Sequence, residues 1–472
     1  MAHAPGNNNN MVDILEHCRV SPPSDLCTTT KILPLTFFDI FWLNWPSLSR
    51  VYFYDFPCSA TEFTQKIVPN LKKSLASTLQ HYYPLCGNFL IPTTISSSTI
   101  PAIRYLDGDS VPLTIAELRS VVSEEFKFKY LSANEAVEVD ELMNLVPELP
   151  RGRGDENEKV SPVLSIQVTL FADQGFSIGF RNSHVVADGK SLYNFIRTWA
   201  VINAKQLVGD WDYENLDGLP VYDRSVIGDP KGMASIFLRE SLCMAEEFSK
   251  HSRTNPKAPS HVHKDDMVQA TLVMDPLHIQ GLKNLVSTQV PHASTFVVVC
   301  AYVWACMAKM RAAVGQEVEV DEHFVFAVDA RARLDPPIAA NYFGNAVSFC
   351  WSSLKTIELA RQQGFQIAVK KIREGLDEKI ENEEGVLKGY DTIFDQIEAT
   401  TGQPKYGVAG SPRFDYYSTD FGWGKPKKYK VVSEKFSLAG SRDSEGALEL
   451  GFCLSKDEMD AFTTIFIEGL IK

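Results

Sequence analysis

A histidine at the end of a strand, just before a turn into a helix, is a candidate proton acceptor, because an unperturbed imidazole titrates at about pH 6.5. Asn182-Ser-His-Val-Val-Ala-Asp-Gly189 offers His184 in that setting, with Asp188 four residues on and a glycine after it. The pattern alone is weak, since ten histidines yield about one such match by chance. A second copy, His261 with Asp265, falls in a stretch rich in Pro, Ser and Lys, where nothing would fix the ring. His184 is therefore the stronger base, suited to taking a proton from a hydroxyl.

Asp420-Phe-Gly-Trp-Gly424 is more specific, because two glycines interleaved with Phe421 and Trp423 demand a tight backbone under large rings. Its expected job is architectural. A DFG triplet is also a kinase metal ligand, yet no glycine-rich GxGxxG loop, paired lysine strand or HRD motif accompanies it. Gly189-Lys-Ser lacks the upstream glycine of a phosphate loop, and neither a GxSxG elbow nor an HExxH zinc helix occurs. No metal site is expected.

The elements around these residues follow from periodicity. Alternation predicts a strand over Val163 to Leu170, a turn at Ala172 to Gly175 and a hairpin partner over Phe176 to Phe180. Leu192, Phe195, Ile196, Trp199 and Ile202 then mark one apolar helix face, which makes 184–189 a strand-to-helix junction. Upstream, Val51 to Phe56 reads as a strand. A helix capped by Ser59 and Glu62 follows, disturbed only by Pro69, and Gly87 to Leu90 and Ala102 to Tyr105 read as further strands. Arg151 to Lys159 reads as a surface loop. Strands at Thr271 to Met274, Phe324 to Asp329 and Ala346 to Trp351 and helices near 276–288, 294–310 and after Ser455 repeat the mixed pattern in the second half.

A chain of 472 residues with 44% hydrophobic and 22% charged content is too long for one core, and two domains are expected. The divisions fall at 1–12, a disordered tail; 13–208, an N-terminal domain with His184; 209–266, a turn-rich crossover; and 267–472, a C-terminal domain with Asp420. A net charge of -13 weighs against nucleic acid and anionic membrane surfaces as partners, both of which require basic faces. Nine cysteines without a CxxC pair indicate a reducing, cytoplasmic setting, and the polar MAHAPGNNNN start has no secretory character. Phe296 to Ala308, the most apolar run at 13 residues, falls short of the roughly 18 that suggest a membrane span and reads as a buried helix.

His184-x-x-x-Asp188-Gly189 followed by Asp420-Phe-Gly-Trp-Gly424 resembles the BAHD acyltransferases over nearly the whole chain. Leu35-Thr-Phe-Phe-Asp39, Tyr222-Asp-Arg-Ser225, Asn341-Tyr-Phe-Gly-Asn-Ala346 and Ala409-Gly-Ser-Pro-Arg413 resemble the branch that acylates flavonoid and anthocyanin glycosides, apart from Ala346 where that branch carries cysteine. The resemblance implies an α/β fold of two chloramphenicol-acetyltransferase-like domains enclosing a channel with His184 midway. It also implies an acyl-CoA co-substrate and a phenolic glycoside acceptor that form a ternary complex without an acyl-enzyme.

By the same resemblance Asp188 and Asp420 are structural, and Asp188 pairs with an arginine, Arg331 or Arg333 of Asp329-Ala-Arg-Ala-Arg333. Coenzyme contacts are expected from Arg413, Ser294, Thr295, Lys425 and the basic run beyond it, and from Ser411 beside the developing oxyanion. Phe38 and Trp42 are candidates for the acceptor side. Malonyl-CoA is the expected donor, since Asp188-Gly-Lys190 resembles the aliphatic-acyl members; hydroxycinnamoyl-CoA is the alternative, and a silent ligand-binding homologue a third. A monomer without tightly bound cofactor is expected.

Overall fold

Leu164–Phe171 is buried at every residue, as expected of a strand covered on both faces, and it returns through a tight turn as Gly175–Asn182. The turn requires Gly175, whose φ is 153° and where a Cβ would sit 2.2 Å from the Tyr54 carbonyl oxygen. This hairpin forms the centre of a six-stranded sheet in a computed structural model that describes residues 11–23, 30–92, 101–118, 127–150, 152–154, 158–209, 216–254 and 266–471.

The sheet runs Val12–Val20, Val111–Leu118, Leu164–Phe171, Gly175–Asn182, Leu48–Tyr54, Lys428–Val432. Its last strand comes from the C-terminal half. A second sheet runs Phe436–Gly440, Leu448–Ser455, Met267–Met274, Val137–Glu138, and here the borrowed strand comes from the N-terminal half. Each half therefore completes its sheet with a strand of the other, and the site lies where they interlock. Val347–Lys355, Asp321–Asp329 and Lys405–Gly407 form a third sheet.

Thr295–Ala313 is the one described helix long and apolar enough to cross a membrane, and most of it is buried inside the fold. The helix after Ser59 widens into a π turn at Phe63–Ile67, which accommodates the Pro69 ring where an α-helix would clash, and continues as Val68–His81.

Two expectations are corrected. Arg151 to Lys159 is not simply a loop, because Arg153–Gly154 pairs with Glu158–Pro162 at a sheet edge. The 209–266 segment is not only a crossover either: it contains the helix Met233–Thr254, held by Met233, Phe237 and Leu238, with Phe237 edge-on to Phe37. The Met233, Phe237, Ser241 spacing already carried that helix's inner face. Residues 1–10 of the tail, Cys27, and His261 with Asp265 lie outside the described residues; the tail's last two positions, Met11 and Val12, already lead into the first strand.

Candidate active site

The hairpin strand ends at Asn182, two residues before His184, and the helix Gly189–Leu207 starts with Asp188 as its N-cap. Asp188 Oδ1 accepts the Ser191 N–H at 2.9 Å, and Oδ2 accepts the Ala346 N–H at 3.2 Å. Arg331 Nη1 stands 2.8 Å from the same carboxylate, and both side chains are buried. Burial raises the Asp188 pKa, but the Arg331 charge and the N–H donors outweigh it and hold the carboxyl below its usual value. Arg331 also donates to the Tyr342 and Gly344 carbonyls and the Ser191 hydroxyl, so the pair clamps the loop.

Arg333 turns outward and donates to the Asp329 carbonyl at 2.8 Å. Arg331 is therefore the partner of Asp188, a choice the sequence left open. Lys190 ion-pairs with Asp329 at 3.4 Å and is committed there.

His184 is half-buried, and the Trp42 indole stacks on it with centroids 3.5 Å apart and planes 10° apart. Burial pushes the His184 pKa down to about 4, so the ring is neutral and able to accept a proton at physiological pH. Arg50, which donates to Asn182 Oδ1 at 2.8 Å, adds to the depression, while Asp188 opposes it. The described residues leave one cavity against Gln269, Tyr429, Lys430 and Glu449 and another against Tyr82, Ser191 and Asn341. Neither of these two reaches His184, on whose ring Trp42 lies flat.

Asp420 acts as a turn anchor. Its Oδ1 accepts the N–H groups of Gly422 and Gly424 at 2.7 and 2.9 Å. Phe421 packs edge-on to Trp199, its carbonyl accepts from Asn203, and Trp423 stacks on it. The motif thus grips the helix whose other end is Asp188.

The remaining candidates divide. Arg413 and Lys425 are exposed, and the Ser411 hydroxyl accepts the Arg413 N–H at 3.2 Å. Ser294 caps the helix that opens with Thr295, its hydroxyl taken by the Val297 N–H. Phe38 is corrected: it is sealed between Phe37 and Tyr390 and offers nothing to an acceptor, whereas Trp42 keeps a partly open face and an Nε1 without a partner. The basic run is split as well, because Lys428 and Lys430 are buried and only Lys425 and Lys427 reach solvent. Lys428 pairs with Glu449 at 2.6 Å; Lys430 finds no partner, and burial pushes its pKa down to about 7. Among the described residues no His, Cys, Asp or Glu cluster fits a metal ion.

Sequence reasoning gave no role to Asn345 and Asp39, although both stand at the site. Asn345 Oδ1 is 3.1 Å from His184 Nδ1, and Asp39 is fully buried behind it. The signal was a short polar side chain within an apolar run, which must find a partner once buried.

Two interlocked α/β halves, with a neutral histidine held where they meet and a carboxylate–guanidinium pair locking its loop, define a transferase that activates a hydroxyl. A family model described as the transferase family matches residues 10–468. Over 468 residues the chain is 37% identical to the malonyl-coenzyme A:anthocyanin 3-O-glucoside-6''-O-malonyltransferase of Dahlia pinnata, with 97% of each covered. It is also 37% identical to phenolic glucoside malonyltransferase 1 of Nicotiana tabacum, covering 98% of this chain and 99% of that one. The crystal structure of vinorine synthase superposes with a TM-score of 0.67 at 20% identity over 95% of this chain and 96% of that one. That of F. graminearum TRI101 with ethyl coenzyme A gives 0.64 at 15% identity over 92% and 97%. The chain belongs to the BAHD acyltransferases. Its architecture is the two-domain chloramphenicol-acetyltransferase-like one, and it is an acyl-transferring enzyme.

Proposed function

We propose that this enzyme transfers a malonyl group from malonyl-CoA to a sugar hydroxyl of an anthocyanin or other phenolic glucoside. The observation that carries the reading is whole-length similarity to enzymes named for that transfer, from Dahlia, tobacco and Salvia splendens, at 35–37% identity. The weaker reading is hydroxycinnamoyl transfer, supported by a coumaroyl-CoA:anthocyanidin 3-O-glucoside-6''-O-coumaroyltransferase 2 of Arabidopsis thaliana at 31% identity.

In the proposed reaction His184 takes the proton of the sugar hydroxyl while its oxygen bonds to the thioester carbonyl carbon. The carbon–sulfur bond then breaks, and the thiolate recovers the proton from the imidazolium. No acyl-enzyme forms, and holding both substrates together supplies much of the rate. The neutral state of His184 supports this role. Asp188 and Arg331 keep the loop in place, and Asp420 anchors the far end of the same helix. Arg413 and Lys425, exposed and positive, are assigned to the coenzyme phosphates, with Ser411 near the thioester; Ser294 and Thr295 at a helix start add N–H groups that suit an anion. Trp42 is assigned to the acceptor side. The eight described cysteines are free thiols, which supports a cytoplasmic enzyme, and a monomer completes the reading.

A mass-spectrometric screen that pairs malonyl-, coumaroyl- and acetyl-CoA with a panel of phenolic glucosides tests this. Malonylated glucoside with stoichiometric release of free thiol is expected. Coumaroylation in preference to malonylation would transfer the case to the second reading, and no thiol release with any pair would leave a silent homologue.

A further inference from the structure

Asn345 is buried, and its amide can point only one way. Nδ2 faces three acceptor oxygens: Asp39 Oδ1 at 3.0 Å, the His184 carbonyl at 2.9 Å and the Val185 carbonyl at 3.3 Å. A flipped amide would set its carbonyl oxygen against all three. Oδ1 is therefore the atom that meets His184 Nδ1, at 3.1 Å. An acceptor at that nitrogen requires Nδ1 to carry the ring proton.

Asp39 holds the amide from behind. Its Oδ1 also receives the Asn345 backbone N–H at 2.9 Å, and its Oδ2 receives the Thr36 N–H and hydroxyl at 3.0 and 2.9 Å. Four donors on two oxygens leave a carboxylate that only accepts. Arg224 stands 3.8 Å from Oδ2 and donates to the Phe343 carbonyl at 2.6 Å and to the Tyr342 hydroxyl. Thr36 and Asp39, Arg224, and Tyr342 to Asn345 lie in three separate stretches of the chain, which these bonds join beside one imidazole.

We propose that Asn345, backed by Asp39, is a positioning residue that fixes His184 as the Nδ1–H tautomer, presents bare Nε2 as the base, and stabilises the imidazolium once Nε2 is protonated. The arrangement is a relay of polarisation without proton transfer: carboxylate to amide N–H, amide oxygen to imidazole N–H. The other charged groups that act on His184 are Arg50, which disfavours the imidazolium, and Asp188, which favours it from a distance while paired with Arg331. Asn345 and Asp39 thus supply the orientation that Asp188 would supply if it faced the ring.

The inference rests on His184 being the base, and the test separates the two. Long-range proton–nitrogen NMR on histidine-labelled wild-type enzyme, with His184→Ala assigning the resonance, is expected to show protonated Nδ1 and bare Nε2. Asn345→Ala is expected to lower kcat about 10- to 100-fold, the worth of a hydrogen bond to a charged group, with KM for malonyl-CoA unchanged. Losing the Asn345 acceptor also removes support for the imidazolium, so the acid limb of the Asn345→Ala kcat/KM profile is expected to move downward. An Nε2–H ring in the wild type overturns the proposal without any variant having to fold. It is likewise overturned if Asn345→Ala keeps wild-type kcat, or loses activity with the acid limb unmoved, as a packing role would give. If His184→Ala stays active, the base assignment has failed; if it is inactive while Asn345→Ala is not, only the positioning role has.

Discussion

Replacing Asp188 by Ala removes the acceptor of two backbone N–H groups and leaves the Arg331 guanidinium buried with one remaining acid, the half-exposed Asp329 at 3.2 Å. Breaking a buried pair from one side costs about 3–5 kcal/mol, because the surviving charge stays desolvated. With a urea dependence of roughly 3 kcal/mol per M, the unfolding midpoint should fall by about 1–1.7 M. Activity should fall with it, since Asp188 caps the helix that follows His184 and receives Ala346, next to Asn345. The pH dependence has a definite sign. The folded Asp188 pKa lies below the unfolded one, so its stabilisation is present above the ordinary carboxylate range and is lost as pH falls below it. Asp188→Ala should therefore lose part of the wild type's acid sensitivity. Urea unfolding followed by tryptophan fluorescence, run beside malonyl transfer, measures both effects. In a cycle with Arg331→Met, the double variant should be more stable than Asp188→Ala alone, because the orphaned charge is gone. An inactive Asp188→Ala enzyme with an unchanged midpoint would refute this reasoning and place Asp188 in the chemistry.

Other outcomes follow from the same structure. With the His184 pKa pushed down to about 4, loss of activity from its protonation should appear only near pH 4, and a kcat/KM profile already falling at pH 6.5 would contradict the burial. Lys430→Met should raise the unfolding midpoint, by about 1–4 kcal/mol in free energy, since it replaces a buried amine without a partner. Because the folded Lys430 pKa is depressed from 10.5 to about 7, wild-type stability should gain from this group as pH rises through that window, and the variant should lose the gain. Gly344→Ala should destabilise the enzyme and slow it, because φ is 127° and the new Cβ would lie 2.3 Å from Arg224 Nη1; unfolding curves and initial rates report this. Trp42→Leu removes the indole stacked on His184, and should lower kcat about 2- to 30-fold if that face stabilises the imidazolium.

What the sequence disclosed were features fixed by neighbours along the chain. The His184 to Asp188 turn, the hairpin before it and the Asp420 motif depend on glycines, caps and alternation within a few residues, and local spacing expresses these. Features set by contacts between distant segments stayed hidden. Arg331 and Arg333 are two residues apart, and only the burial of one under Tyr342 and Gly344 distinguishes them. Asn345 reaches His184 across 161 residues and Asp39 across 306. Lys428 and Lys430 looked like a solvated face because lysine usually is one, yet their strand is covered on both sides where the halves exchange strands. That exchange also blurs any boundary drawn along the chain. The acceptor assignment of Phe38 failed for a similar reason, since an aromatic run does not reveal which ring the core takes.

The most direct test is the turnover of malonyl-CoA and a phenolic glucoside by His184→Ala, measured with coenzyme affinity on the same preparation. The account predicts a loss of about 10²- to 10⁴-fold in kcat, the range for a general base, with coenzyme binding nearly intact. A variant that still turns over at a rate close to wild type would contradict it.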